Sequence, residues 1–221
     1  MSDYTLIIGN KNYSSWSLRP WLPMRHCGLP FREVRIPLYT PESKAQILTH
    51  SPSGKVPCLL DRQLAIWDSL AICEYLAERH PHLGLWPDDF QARAVARSMS
   101  AEMHSGFQNV RTHMSMNCRG RFPGLGRTVE VAGEIERIQR SWGDARAKYG
   151  VGGPFLFGRF GIVDAMYAPV VLRFRTYSVQ LNSVCREYAD AILALPAMQQ
   201  WLAEAEAETE VIEKFEPKPQ P

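Results

Sequence analysis

Asn10-Lys11-Asn12-Tyr13-Ser14-Ser15-Trp16-Ser17-Leu18-Arg19-Pro20 is the stretch on which the reading of this chain turns. It follows a short apolar run, Tyr4–Ile8, closed by Gly9, and precedes an apolar segment ended by Gly28 and Pro30. A strand, a polar Asn/Ser loop and a helix start leave backbone N–H groups free to point at an anion. The serines can cap the helix, or one of them can face a ligand. The loop alone leaves both roles open.

Outward from the loop, the N-terminal part of the chain alternates in type. Tyr4–Ile8 reads as a strand, Ser17–Cys27 as a helix and Phe31–Pro37, with its period of two, as a strand. Pro41–Thr49 is a helix with Pro52 beyond its end. Val56–Leu60 and Leu64–Ile66 flank residues 61–63 as a tight hairpin. Asp68 is an N-cap candidate for a helix carrying Leu70, Ile72, Cys73, Leu76 and Ala77, which Pro81 ends. The order β-α-β-α-β-β-α resembles the thioredoxin fold.

The turn-rich stretch from His80 to Asp89 supplies a linker, set at residues 82–89, and beyond it the patterns are helical only. Phe90–Asn117 reads as one long helix with Gly106 its weak point, and residues 118–126 as a loop. Thr128–Tyr149, the very apolar Ile162–Val179, Arg186–Leu195 and Ala197–Thr209 complete a bundle. The expected organisation is an α/β thioredoxin-like domain over residues 1–81, an all-α domain over 90–215 and a flexible tail over 216–221.

The bulk numbers exclude several classes. Among 221 residues, 25 Lys and Arg face 23 Asp and Glu, a net charge of +2. That balance gives no footprint for nucleic acid or an anionic membrane surface. No apolar run approaches the roughly 20 residues of a spanning helix. The five cysteines show no C-x-x-C spacing and the six histidines no H-x-x-x-H pair. The expectation is a cytoplasmic protein with no disulfide framework and no metal.

Two further stretches carry chemistry. In Gly54-Lys55-Val56-Pro57, a proline opening a strand belongs at an edge or a special site. If Val56–Pro57 is cis, the backbone of Val56 is free to pair with an extended ligand; cis occurs in only about 5–6% of X–Pro bonds, so the local expectation is trans. Asp68-Ser69 is a helix N-cap by itself, and equally a place where Ser69 and free N–H groups hold a carboxylate while Asp68 accepts from an ammonium.

Taken together, Ser14-Ser15-x-Ser17-x-Arg19, Gly54-Lys55-Val56-Pro57 and Asp68-Ser69, in this order and followed by a helical domain, resemble the glutathione site of the cytosolic glutathione S-transferases. Within that family the serine motif is most similar to the zeta class, which includes maleylacetoacetate isomerase. The class reads S-S-C-S-W-R where this chain reads S-S-W-S-L-R, so Trp16 stands where the class has a cysteine. The resemblance implies a cis Pro57, a backbone pairing from Val56 to the cysteinyl part of glutathione, and Asp68-Ser69 at its γ-glutamyl end. It implies Ser14, or else Ser15, as the hydroxyl that stabilises the thiolate, and adds Lys55 and Gln108 to the glutathione contacts. Asp164, in Gly161-Ile162-Val163-Asp164, is the acid of a helix capping box.

For the electrophile, Trp16, Met103, Phe107, Arg111, Arg173 and Arg175 are the candidates. Met103, Phe107 and Arg111 share one face of the expected long helix, though the first two read equally well as core. An arginine on an apolar helix either pairs internally or faces a cavity holding a carboxylate. The resemblance thus implies a homodimeric glutathione transferase acting on a small electrophile, with a carboxylated one among the candidates. A glutathione-dependent cis–trans isomerase and a non-catalytic interaction module of the same fold are the alternatives.

Overall fold

The computed structural model describes residues 4–216. β1 (Tyr4–Ile8), β2 (Arg32–Arg35), β3 (Cys58–Asp61) and β4 (Leu64–Ile66) form one sheet in the order β2-β1-β3-β4. β1 and β2 are parallel, so they require a crossover, and α1 (Ser15–His26) supplies it. β3 pairs antiparallel with β1 and with β4. Alternation along β1 splits the core. Leu6 and Ile8 join Leu18, Trp21 and Leu22 of α1 and Ile72 and Leu76 of α3 (Ser69–Arg79). Ile7 faces the other side, with Ile36, Cys58 and Ile47 of α2 (Ser43–Leu48).

The second half is helical: α4 (Phe90–Ser105), α5 (Gln108–His113), α6 (Val129–Tyr149), α7 (Ile162–Thr176), α8 (Ser183–Ala194) and α9 (Pro196–Ala207). The molecule is a thioredoxin-like domain joined to a helical domain. α7 is buried along nearly its whole length and packs against α1 and α4. Sandwiched between the sheet and α7, α1 is itself almost wholly buried. Pro23 cannot offer the helical N–H that the Arg19 carbonyl would accept, and the Cys73 thiol donates to that carbonyl instead, at 3.8 Å. Burial pushes this thiol up to about 12, so it stays neutral.

α7 begins at Gly161, which has no side chain to cap it. Asp164 accepts from Gly161 N at 2.9 Å and from Leu156 N at 3.1 Å in a fully buried setting. Burial pushes its carboxyl up to about 7, against the lowering pull of those two N–H donors.

Several expected boundaries shift. β3 starts at Cys58, not Val56, and the Val56–Pro57 bond is cis, as the resemblance implies and against the local expectation. The expected long helix over 90–117 is two helices. Gly106 is extended, Phe107 adopts a left-handed conformation (φ 56°), and the chain leaves helix again at Met114. Glu134 of α6 accepts from the N–H groups of Asn109 and Val110, so the new helix start is satisfied from outside. α1 begins two residues earlier than its periodicity suggests, because Ser14 rather than a later residue caps it.

The expected flexible tail starts at Glu216, which is fixed; residues 217–221 lie outside the described residues. After α9 the chain returns across the N-terminal domain. The Glu208 carboxylate accepts from the N–H groups of Lys11 (2.7 Å) and Asn12 (3.0 Å). Glu216 accepts from the Tyr13 hydroxyl at 2.6 Å and from Asn117 Nδ2 at 2.9 Å. Beneath this strap the Lys11 ammonium lies over the rings of Trp21 (4.9 Å) and Trp201 (5.4 Å) and pairs with Glu33 and Glu204.

Candidate active site

The serine loop divides three hydroxyls among three tasks. Asn10 turns the chain by accepting at its carbonyl from Tyr13 N and Ser14 N. Ser14 Oγ caps α1, accepting from Ser17 N at 3.4 Å, and lies 2.7 Å from Ser17 Oγ. Ser17 Oγ in turn accepts from Gly9 N at 3.1 Å. Either hydroxyl of the Ser14–Ser17 pair can donate to the other, and when Ser17 donates, the Ser14 proton is free for a ligand. Ser15 Oγ accepts from Arg173 Nη2 at 3.2 Å. No acidic side chain occupies the first turn of α1, so its positive end is uncompensated there.

Ser14, Ser15 and Trp16 open into a cleft of about 670 Å³ between the two domains. Gly54, Lys55 and Val56 wall it on the thioredoxin-like side, and Gln108, Arg111 and Arg173 on the helical side. An aromatic wall closes another side. Phe215 lies 5.9 Å from Tyr13 and 5.6 Å from Tyr39, and all three line the cleft.

Trp16 stands at the centre of a cationic cluster. The Arg19 guanidinium is 4.2 Å and the Arg111 guanidinium 4.9 Å from its ring centre, and His104 meets it edge-on at 5.3 Å. Arg111 donates to the carbonyls of Met103, His104 and Gly106, the orphaned end of α4. Arg173 is buried and donates to the carbonyls of Met114 and Arg111 as well as to Ser15. Among the described residues none of the three guanidiniums is bonded to a carboxylate, and Arg19 Nε and Nη1 have no partner. Burial, then the neighbouring guanidiniums, pull Arg19 down to about 9 and Arg173 to about 10; burial also lowers Arg111. Arg19 and Arg173 therefore stay charged at neutral pH with no carboxylate bonded to either, Asp68 acting on Arg19 only from a distance.

Of the residues singled out in the sequence, Ser14, Ser15, Trp16, Lys55, Val56, Gln108, Arg111 and Arg173 line this cleft. Pro57 is buried behind it. Asp68 caps α3 through Oδ1, which accepts from the N–H groups of Leu70 (3.1 Å) and Ala71 (3.4 Å), while Ser69 is buried with an unpartnered hydroxyl. Met103 and Phe107 are core residues. The break at Gly106 rotates Arg111 away from the face the three were expected to share. Arg175 lines a separate cavity of about 310 Å³ with Arg186 and Asp190. Two residues along a helix turn by roughly 200°, so Arg173 and Arg175 point to opposite sides of α7. Among the described residues no cluster of His, Cys, Asp and Glu could hold a metal ion, and no helix is long and apolar enough to cross a membrane.

Sequence reasoning did not single out Tyr13, Tyr39, His104 or Phe215. Phe215 arrives from the far end of the chain and Tyr39 from a turn, so no periodicity marks them. His104 carried only the weak signal of a polar residue beside Met103 near the end of a helix.

A family model described as the N-terminal domain of glutathione S-transferase matches residues 13–79, and one described as its C-terminal domain matches residues 121–204. Maleylacetoacetate isomerase from Rattus norvegicus is 28% identical over 84% of this chain and 85% of its own length. A probable maleylacetoacetate isomerase from Caenorhabditis elegans is 36% identical, over 42% of this chain and less than half of that protein (43%). Among solved structures, a glutathione transferase homologue from Burkholderia strain BGR1, with bound glutathione, superposes with a TM-score of 0.71 at 20% identity, covering 93% of this chain and 99% of that one. A Tau class glutathione S-transferase from mango (Mangifera indica) superposes at 0.68 and 17% identity, covering 97% and 96%. At these identities the structures speak to the fold alone.

Proposed function

Because the chain belongs to the glutathione S-transferase family, matched by the models of both its domains, we propose that the cleft binds glutathione and adds its thiolate to a small electrophile. The observation that carries this reading is the Ser14 hydroxyl, held in the cleft wall at the start of α1, where it accepts from Ser17 N and lies beside the Ser17 hydroxyl. In the proposed complex the free Val56 backbone pairs with the peptide part of glutathione, Lys55 and Gln108 lie along it, and the α3 start at Asp68-Ser69 takes the γ-glutamyl end. The buried, unpartnered Ser69 hydroxyl supports that last assignment.

The chemistry follows from thiol acidity. A free thiol with a pKa near 8.5 is only about 3% ionised at pH 7, and lowering it by about two units makes roughly three-quarters of it thiolate. The N-terminus of α1 and one donated hydroxyl act in that direction. Ser14 need not remove the proton; its O–H donates to the sulfur and favours the anion. Ser15 is the rival donor, since Arg173 fills its acceptor role and leaves its proton free too. The electrophile sits toward Arg173, Arg111 and Trp16, where guanidiniums not bonded to any carboxylate favour a carboxylated substrate. A homodimer, on the strength of family membership, is part of the same proposal.

A second reading, glutathione-dependent cis–trans isomerisation, is supported by the rat relative that spans most of the chain. Trp16 in place of the zeta cysteine weighs toward conjugation. Assays with a halogenated aromatic and with a maleylacetone-like substrate separate the two. In the same experiment Ser14→Ala is expected to reduce kcat/KM by about 10²-fold at neutral pH and to raise the thiol pKa read from thiolate absorbance. Unchanged turnover and thiol pKa in Ser14→Ala, with both lost in Ser15→Ala, would transfer the role to Ser15.

A further inference from the structure

Asp68 is held by two sets of donors that do different work. Its Oδ1 accepts from the N–H groups of Leu70 and Ala71, which is all that a helix cap requires. Its Oδ2 lies 2.9 Å from Nε2 of His104, a residue of the other domain. The Asp68 side chain is 51% exposed and that of His104 25%, and a pair this open to solvent adds little to stability. What the bond does fix is the plane of the carboxylate.

His104 is well placed to impose that orientation. Its backbone carbonyl is held by Arg111 at 3.1 Å, and its ring meets the edge of Trp16 at 5.3 Å. Its Nδ1 is buried without a partner, so the Nε2 bond to Asp68 is the one polar contact of the imidazole among the described residues. Beside Asp68 the Ser69 hydroxyl is fully buried and likewise unpartnered. The α3 start thus holds an oriented carboxylate beside a buried, unused hydroxyl.

We infer that His104 is a positioning residue for glutathione: from the helical domain it locks the Asp68 carboxylate in the orientation that receives the γ-glutamyl ammonium. Without His104 the carboxylate keeps its capping bonds but swings about Oδ1, and glutathione binding must then order it. Ordering a free polar side chain at the moment of binding weakens affinity. This rests on the assignment of Asp68 to the γ-glutamyl end made above. It adds a cross-domain contact that ties glutathione affinity to the helical half of the molecule.

A double-mutant cycle read by calorimetric titration with glutathione tests it. His104→Ala is expected to weaken the Kd by about 3- to 10-fold. His104→Gln, whose amide N–H reaches a similar position, is expected to stay within about twofold of the parent protein. In an Asp68→Asn background, His104→Ala is expected to add almost nothing, because the group it positions is no longer a carboxylate. If His104→Ala leaves the Kd unchanged, or adds its full effect on top of Asp68→Asn, the inference is overturned and Asp68 stands alone. If Asp68→Asn itself leaves the Kd unchanged, the γ-glutamyl assignment falls, and the role of His104 with it. A structural role alone would lower the Tm of His104→Ala without this coupling and without rescue by Gln.

Discussion

At the scale of single residues, the cleft is defined by buried positive charge that no carboxylate is bonded to. Arg173 is buried, charged at neutral pH, and bonded to carbonyls and to Ser15 rather than to an acid. Its removal should lower kcat/KM for a carboxylated electrophile by about 10- to 10²-fold while sparing a neutral halogenated aromatic, as steady-state assays of Arg173→Met on the two substrates would read. Comparable losses on both would mean that Arg173 serves Ser15 and the loop, not the substrate. The pH dependence has a definite sign. Arg19 and Arg173 are lowered to about 9 and about 10, so both are charged at pH 7, and the cluster discharges as the pH rises through 9 and 10. KM for an anionic electrophile should therefore rise above pH 9, with no such rise for a neutral one. Trp16 was legible as the odd residue of its motif, but not as a ring between two guanidiniums. One of those, Arg111, arrives only because α4 breaks.

At the scale of elements, local chemistry wrote most of the fold into the chain. The Tyr4–Ile8 strand, the hairpin around residues 61–63 and the Asp68 cap were readable because turn formers and caps act through their immediate neighbours. The α4–α5 break was not. Gly106 and Phe107 lie within a continuous helical period, and what stabilises the interruption comes from elsewhere: Arg111 on the freed carbonyls and Glu134 on the freed N–H groups. Met103 and Phe107, read as electrophile candidates or equally well as core, are in the core, and the break sets them apart from Arg111 of α5. The start of α7 offers a test of a different sort. Asp164 is raised to about 7, so in the native state it holds its proton over a range where the unfolded chain has lost it. Its contribution to stability is complete below about pH 4, near the ordinary carboxyl value, and is lost as the pH rises through 7. The Tm advantage of the parent protein over Asp164→Asn should accordingly shrink between pH 4 and pH 7. An advantage that grows over that range would show the carboxylate to be favoured in the fold.

At the scale of the whole molecule, the serine loop near the start of the described residues and the segment near their end meet at the cleft. The strap over residues 208–216 supplies Phe215 to the cleft wall and Glu208 and Glu216 to the serine loop and its neighbour Tyr13. Ending the chain after Val211 should take Phe215 out of the aromatic wall while leaving the Glu208 bonds in place. KM for an aromatic electrophile should rise by several-fold, with a smaller change in the Kd for glutathione measured by titration. A larger loss on the glutathione side would mean that the strap orders the serine loop rather than shaping the electrophile site. Deeper under the strap, Trp21 of α1 and Trp201 of α9 meet at 5.1 Å and 67°, with the Lys11 ammonium over both. Two indoles so close and so oriented couple their electronic transitions, and a fixed cation beside them shifts their energies. The protein thus carries a built-in optical probe of domain docking. Its circular dichroism in the aromatic region should lose a signature when the halves part, even while every helix remains intact.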